Sequence, residues 1–127
     1  MTLNCGVRRR GDVTILDLSG LLSLGEPYAS GPESGVVLRE KVRELIENGQ
    51  KKILLNLAGV RFVDSSGAGQ LAGAFASARN HGAALKLLKP TSQVKTLLKV
   101  TKLDTLLDVL DDEDNAIQAF GKSAEVG

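Results

Sequence analysis

Residues 51–80 decide the fold of this chain, and they are KKILLNLAGVRFVDSSGAGQLAGAFASARN. The apolar run at 53–57 is typical of a central strand that is covered on both faces. From about Ser66 to Asn80, small and apolar residues recur at helical spacing. The junction, DSSG at 64–67, places hydroxyls at the amino end of a helix, where backbone N–H groups lack partners and an anion is stabilised. A serine there is either part of a helix cap or a phosphate acceptor.

The alternation of strands and helices continues on both sides of this segment. Residues 83–88 form another apolar strand, so the chain contains a βαβ unit, which crosses over right-handed. Before it, the apolar and β-branched runs at 3–7 and 13–18 predict a hairpin whose turn is RRRGD at 8–12. Apolar residues at three- and four-residue spacing then predict a helix that begins near Leu38.

The last third of the chain predicts shorter elements. Thr91 follows Pro90 and caps a short helix. Residues 107–110 indicate a short last strand, and the acidic run at 111–114 precedes a final helix, whose dipole it complements. We therefore predict an α/β fold: a mixed β-sheet with an antiparallel N-terminal hairpin and about four surrounding helices.

The chain length of 127 residues predicts a single domain. We expect this domain to span residues 1–122, with 123–127 as a frayed C-terminal tail. Residues 20–35 contain four glycines, two prolines and several serines. That composition predicts a long loop, inserted before the first helix.

Composition also disfavours several classes of function. The net charge of +1 and the aromatic content of 3% argue against direct binding of nucleic acid. No apolar run reaches the roughly 20 residues that cross a bilayer, so no membrane span is predicted. One cysteine, Cys5, and one histidine, His81, argue against a transition-metal site. A lone thiol also suits a cytoplasmic location.

The serine motif lacks the partners that a catalytic serine needs. Val63 stands two residues before Ser65, so there is no Gly-x-Ser-x-Gly elbow, and no Walker-type lysine follows the glycines. Asp64 can orient a hydroxyl, but the sequence identifies neither a general base nor an oxyanion-hole partner. We predict a binding protein without a cofactor rather than an enzyme.

The surroundings of the motif add a family resemblance. A strand, the sequence VRFVDSSGAG at 60–69, an alanine-rich helix, His81-Gly82 and a further strand together resemble the STAS domain. More narrowly, the chain is similar to the bacterial anti-sigma factor antagonists. The similarity covers nearly the whole chain and includes LSG at 18–20, LREKV at 38–42, and TKL at 101–103.

The resemblance implies a regulatory switch. In that family, the serine directly after the aspartate is phosphorylated by an anti-sigma factor that is also a serine kinase, and here that serine is Ser65. The unphosphorylated form binds the partner and frees the sigma factor. Phosphorylation ends this binding, and a serine phosphatase restores the unphosphorylated form. The partner-binding residues implied for this chain are Asp64, Ser65, Ser66, Gly67, Ala68, Gly69 and Ser23.

One segment departs from the family pattern. Relatives usually carry Gly-Glu-aliphatic-Asp after the second strand, whereas here Gly20 is followed by Leu21-Leu22-Ser23 and by a longer loop. Two alternatives therefore stay open beside the phosphorylated antagonist. The first is a STAS scaffold or adaptor in another signalling or lipid-transport complex, where Ser65 is not phosphorylated. The second is a small-molecule-binding or nucleotide-binding domain that uses loop 20–35 as a lid.

Overall fold

A computed structural model describes residues 3–22 and 38–126 of the chain. In these residues it places five strands and four α-helices, which alternate after an initial hairpin. Their bounds are β1 Leu3–Arg10, β2 Val13–Leu22, α1 Leu38–Glu47, β3 Lys52–Val63, α2 Ser65–Asn80, β4 Ala84–Leu88, α3 Ser92–Val100, β5 Asp108–Leu110 and α4 Glu113–Val126. A single 3-10 turn, Leu103–Thr105, lies between α3 and β5.

The strands form one sheet in the order β1-β2-β3-β4-β5. The first pair is antiparallel, and the three pairs that follow are parallel. Each parallel pair is joined by a connection that contains a helix: α1, α2 and α3 in turn. The predicted mixed α/β sheet with an antiparallel N-terminal hairpin is therefore confirmed.

The hydrophobic core lies on both faces of the sheet. In β3 the side chains of Ile53, Leu55 and Leu57 point to a large cluster formed with α1, α2 and α3. Leu54 points the other way, into a smaller cluster with Phe120 of α4. All of these side chains are fully buried. Because both faces of β3 are covered, its nearly unbroken apolar sequence is explained as predicted.

The predicted turn at 8–12 is wrong. β1 continues to Arg10, and the turn is reduced to Gly11 and Asp12, with Gly11 at a φ of +61° that suits glycine. Arg8 and Arg10 were expected to be solvated in a turn. Their side chains instead form ion pairs with acidic residues of β2 and α4. These ion pairs with residues distant in the chain stabilise the end of β1, whose basic sequence taken alone is typical of a turn.

Two strands are longer than the sequence predicts. β2 continues to Leu22, so residues 20–22, which were assigned to the loop, belong to a strand. β3 continues to Val63, and it pairs with the end of β2 through Leu22↔Val63 after two shifts of register. The extended ends of β2 and β3 therefore form backbone hydrogen bonds with each other. Residues 23–35 of the predicted loop, including Ser23, lie outside the described part of the chain. At the other end, α4 continues through residues 123–126, which were assigned to a frayed tail.

Candidate functional site

The amino end of α2 begins with a side-chain cap. Asp64 has an extended backbone, and its Oδ1 accepts a hydrogen bond from the Gly67 N–H at 2.8 Å. The Ser66 hydroxyl donates to the same oxygen at 2.6 Å. Asp64 and Ser66 therefore build the first turn of the helix together. Of the two neighbouring serines, Ser66 has a structural role in the cap, while the Ser65 side chain lies outside the described part of the structure.

Position 65 is the first residue of α2, and the charge around it favours an anion. The first N–H groups of a helix have no intrahelical acceptor, and the helix dipole adds positive potential there. The first turn of α2 contains no acidic residue, so the capping carboxylate of Asp64 is the acidic group that directly precedes position 65. A phosphate attached at position 65 would thus meet a favourable field from the fold itself.

The long pairing of β2 with β3 brings the end of β2 next to this site. Leu22 is in register with Val63, which directly precedes Asp64. Leu22, the last described residue of β2, therefore lies beside the residues that lead into α2. Ser23 itself lies outside the described residues, so its place at the site stays a prediction.

The small residues of α2 have different environments. Gly67 and Ala68 are buried. Gly69 is exposed, and a Cβ built on it would meet no atom within 4 Å. Helix geometry places position 69 one turn after position 65 on the same face. Among the residues predicted to bind a partner, Gly69 therefore lies on the outer face of α2, whereas Gly67 and Ala68 pack against the interior.

Two residues near the site were not singled out by the sequence. Gln70 is buried, and its Oε1 accepts a hydrogen bond from the Leu38 N–H at 3.1 Å, so that a side chain of α2 caps the start of α1. On α1, the Arg39 side chain lies over Gly73, where a Cβ would come within 3.0 Å of the Arg39 Cδ. The polar Gln70, which stands among small and apolar residues of α2, is the sequence signal that could have indicated this contact between the two helices.

The chemistry of the described residues does not assemble a catalytic group. His81 lies at the far end of α2, where its Nδ1 is 2.7 Å from the Ser77 carbonyl oxygen. The 16 residues of α2 span about 24 Å, so His81 is too distant to act on Ser65. Within residues 3–22 and 38–126, no group of three or more His, Cys, Asp or Glu side chains could hold a metal ion.

Comparison with known proteins identifies a family. The model of the STAS domain family matches residues 7–116. The anti-sigma-B factor antagonist of Bacillus subtilis (strain 168) is 31% identical over 85 residues, which cover 67% of this chain and 77% of that protein. The family match, over residues 7–116, includes the capped start of α2 and most of the sheet. Sequence and fold thus point to the same group of proteins.

Solved structures share the fold at lower identity. A crystal structure of an anti-sigma factor antagonist from Mycobacterium paratuberculosis has a TM-score of 0.72 and 16% identity, and covers 92% of both chains. The Bacillus cell fate determinant SpoIIAA in its phosphorylated form has a TM-score of 0.65 and 20% identity, over 91% of this chain and 98% of that one. In the described part of the present chain, no helix has the length and apolar character needed to cross a membrane.

Proposed function

Because the chain belongs to the STAS domain family, we propose that it acts as an anti-sigma factor antagonist. In this proposal, the unphosphorylated protein binds an anti-sigma factor with serine kinase activity and thereby releases the sigma factor. Phosphorylation of Ser65 ends the binding, and a serine phosphatase restores it. The protein acts in the cytoplasm, as a binding partner and not as an enzyme.

The observation that carries this proposal is the amino end of α2. Asp64 and Ser66 complete the cap, and the first turn holds no acid. A phosphate at position 65 would add about −1.5 to −2 charges at a helix end that stabilises anions. The modified protein would therefore keep its fold, which a reversible switch requires.

The same charge explains how phosphorylation would end binding. A partner surface that fits a neutral hydroxyl has to desolvate the phosphate, and acidic groups on that surface repel it. A loss of about 2.8 kcal/mol in binding free energy lowers affinity about a hundredfold. One modified side chain is therefore enough to switch the complex off.

The comparisons support the regulatory role in general terms. The relative from Bacillus subtilis carries the name of an anti-sigma factor antagonist. SpoIIAA shows that a protein of this fold carries a phosphate, and the proposal extends that property to this chain. It does so although the two acids that the family usually carries after this glycine are replaced here by Leu21 and Ser23.

Phosphorylation in vitro tests the proposal. The full chain is incubated with ATP and with each purified anti-sigma factor kinase encoded in the same genome, and the product is examined by intact mass and peptide sequencing. We expect one phosphate, on Ser65. Ser65→Ala should abolish it, and Ser66→Ala, which removes the neighbouring hydroxyl of the cap, should retain it.

Other outcomes would favour the alternatives. Phosphate on Ser66 alone, or on neither serine, would contradict the switch and favour a STAS scaffold or adaptor in another complex. A small molecule that raises the melting temperature, in the absence of any protein partner, would favour the ligand-binding domain with loop 20–35 as its lid.

A further inference from the structure

Two exposed arginines on α1 have no charged partner in the described structure. Arg39 and Arg43 form no ion pair with any residue of 3–22 or 38–126. They are one helical turn apart, so they share one side of α1. Contact between Arg39 and Gly73 shows that this side faces α2. Glu40 and Glu47 neighbour Arg43 on the helix surface, three positions before it and four after it, but neither forms an ion pair with it, and Glu44 pairs with Lys41.

The position of Arg39 is fixed by the contact with α2. Gly73 has an ordinary helical φ, so its backbone does not require glycine. Alanine would be the better helix former at this position. A Cβ there would press on the Arg39 Cδ at 3.0 Å. Glycine at 73 therefore makes room for the arginine stem, and the hydrogen bond from the Leu38 N–H to Gln70 holds the start of α1 in the same place.

The outer side of α2 has small side chains and no acidic residue within the helix. Helix geometry places positions 65, 69, 72 and 76 along one side of α2. Gly69 and Ala76 are exposed, Ala72 is half-buried against the core, and residues 65–80 contain no aspartate or glutamate. A partner that lies along α2 thus meets small side chains next to two arginines that form no ion pair with a described residue.

We propose that Arg39 and Arg43 are recognition residues that bind carboxylates on the anti-sigma factor kinase when it docks along α2. This inference rests on the proposed function and names the chemistry of the partner's surface. Arginine forms strong, charge-assisted and often bidentate hydrogen bonds with carboxylates. An acidic partner surface also accounts for the switch, because the surface that these cations attract is the one that a phosphate at position 65 repels.

Charge-reversal variants test the inference. Binding of the full chain to the purified anti-sigma factor kinase from its own genome is measured by titration calorimetry, at low and at high ionic strength. Arg39→Glu and Arg43→Glu should each weaken binding about tenfold at low salt, and the difference from wild type should shrink at high salt. Arg39→Lys keeps the charge but loses the bidentate hydrogen bonds, so its affinity should lie between those of wild type and Arg39→Glu.

The matched control is Arg9→Glu. Arg9 is also exposed and without an ion pair among the described residues, but it lies in β1 beside the hairpin turn, at the opposite end of the sheet from the start of α2. It changes the net charge equally and should alter binding less than about twofold. Melting curves establish that each variant is folded.

The outcomes separate the two proposals. If wild type binds and the α1 variants match Arg9→Glu, the recognition role of Arg39 and Arg43 is overturned, while the antagonist function stands. If wild type neither binds nor is phosphorylated by any anti-sigma factor kinase of its genome, the proposed function fails, and this inference fails with it.

Discussion

Two helices of this protein begin with a capping aspartate but differ in the charged residues around it. At α2, Asp64 accepts a hydrogen bond from the Gly67 N–H. At α4, Asp112 accepts one from the Asn115 N–H at 2.9 Å. The first turn of α2 has no acidic residue, whereas that of α4 has Glu113 and Asp114. Both aspartates accept from a backbone N–H three residues later, so the main difference between the two helix starts lies in the surrounding charge.

The start of α4 is neutralised within the fold. Glu113 receives hydrogen bonds from Arg8 and Arg10, which lower the pKa of its carboxyl to about 2. Arg10 also pairs with Asp114 at 2.9 Å, and Arg8 pairs with Asp17 at 2.7 Å. These contacts fasten α4 to the hairpin. The charges at this end of the molecule therefore serve the fold.

The start of α2 has fewer charged groups around it. Its first N–H groups meet the Asp64 carboxylate but no acid in the first turn, and Arg39, which lies over Gly73 further along the helix, has no ion pair in the described structure. An anion added at the start of α2 would therefore gain a favourable interaction with the helix dipole, as the Glu113 carboxylate at the start of α4 already interacts with Arg8 and Arg10. The comparison teaches that two helix starts with a capping aspartate can differ in how many further acids and arginines surround the cap, and the proposed phosphorylation at position 65 depends on that difference.

The largest expected effect is on binding, from Ser65→Asp. A negative charge at position 65 should weaken binding to the kinase partner about a hundredfold, or about 2.8 kcal/mol, because it meets the partner's acidic surface. Calorimetry measures the change. Ser92→Asp is the matched control, since Ser92 likewise follows the cap of α3, and it should leave binding unchanged. Equal affinities for the two variants would contradict the special role of α2.

Asp64→Ala should lower both stability and binding. Loss of the cap should reduce the free energy of unfolding by about 1–2 kcal/mol, as measured by urea denaturation. It also removes the acceptor of the Ser66 hydroxyl, which should weaken partner binding. Asp112→Ala removes the corresponding cap of α4 and should lower stability similarly without affecting binding. If both variants bind alike, the two caps have the same role.

Glu113→Ala should affect stability alone. It removes the acceptor that Arg8 and Arg10 share, and partly exposed ion pairs of this kind contribute about 1 kcal/mol to the free energy of unfolding. Binding to the kinase partner should stay within about twofold of wild type. A larger loss of binding would show that the start of α4 also contacts the partner. The conclusion that its charges stabilise only the fold would then be wrong.

Gly69→Ala should move stability and binding in opposite directions. Nothing lies within 4 Å of a Cβ at this position, and its backbone has an ordinary φ. Alanine should therefore raise the free energy of unfolding by about 0.5–1 kcal/mol. The added methyl group would hinder a close partner, so binding should weaken severalfold. Gln93→Ala, an exposed change on α3, is the control for binding. Unchanged affinity in Gly69→Ala would contradict docking along α2.

The smallest effect is a pH dependence at the α4 end. The pKa of Glu113 is about 2 in the folded protein, below its ordinary value of 4.5, so its stabilising contribution is present above about pH 4.5. It is lost as pH falls towards 2. Melting temperatures of wild type and Glu113→Ala should therefore differ at pH 7 and converge as the pH falls through this range. A constant difference would show that the carboxylate charge does not stabilise α4.

Local signals in the sequence predicted the elements around the site. The apolar run in β3, the cap at Asp64 and the exit of α2 at His81 depend on contacts between residues a few positions apart. Prediction failed where the partner is distant. Arg8 was assigned to a turn because its partner Glu113 lies 105 residues away, and Leu22 was assigned to a loop because its partner Val63 lies on another strand.

The sequence by itself determined the order of strands and helices, the mixed sheet and the capped serine motif, because periodicity and capping act within one or two turns of chain. Only the tertiary structure decided which charges are paired. Packing of α4 on the hairpin satisfies Arg8 and Arg10, while packing of α1 on α2 leaves Arg39 exposed over Gly73, in the middle of α2. Ion pairing depends on distance in space, which residues far apart in the chain acquire only when the core forms.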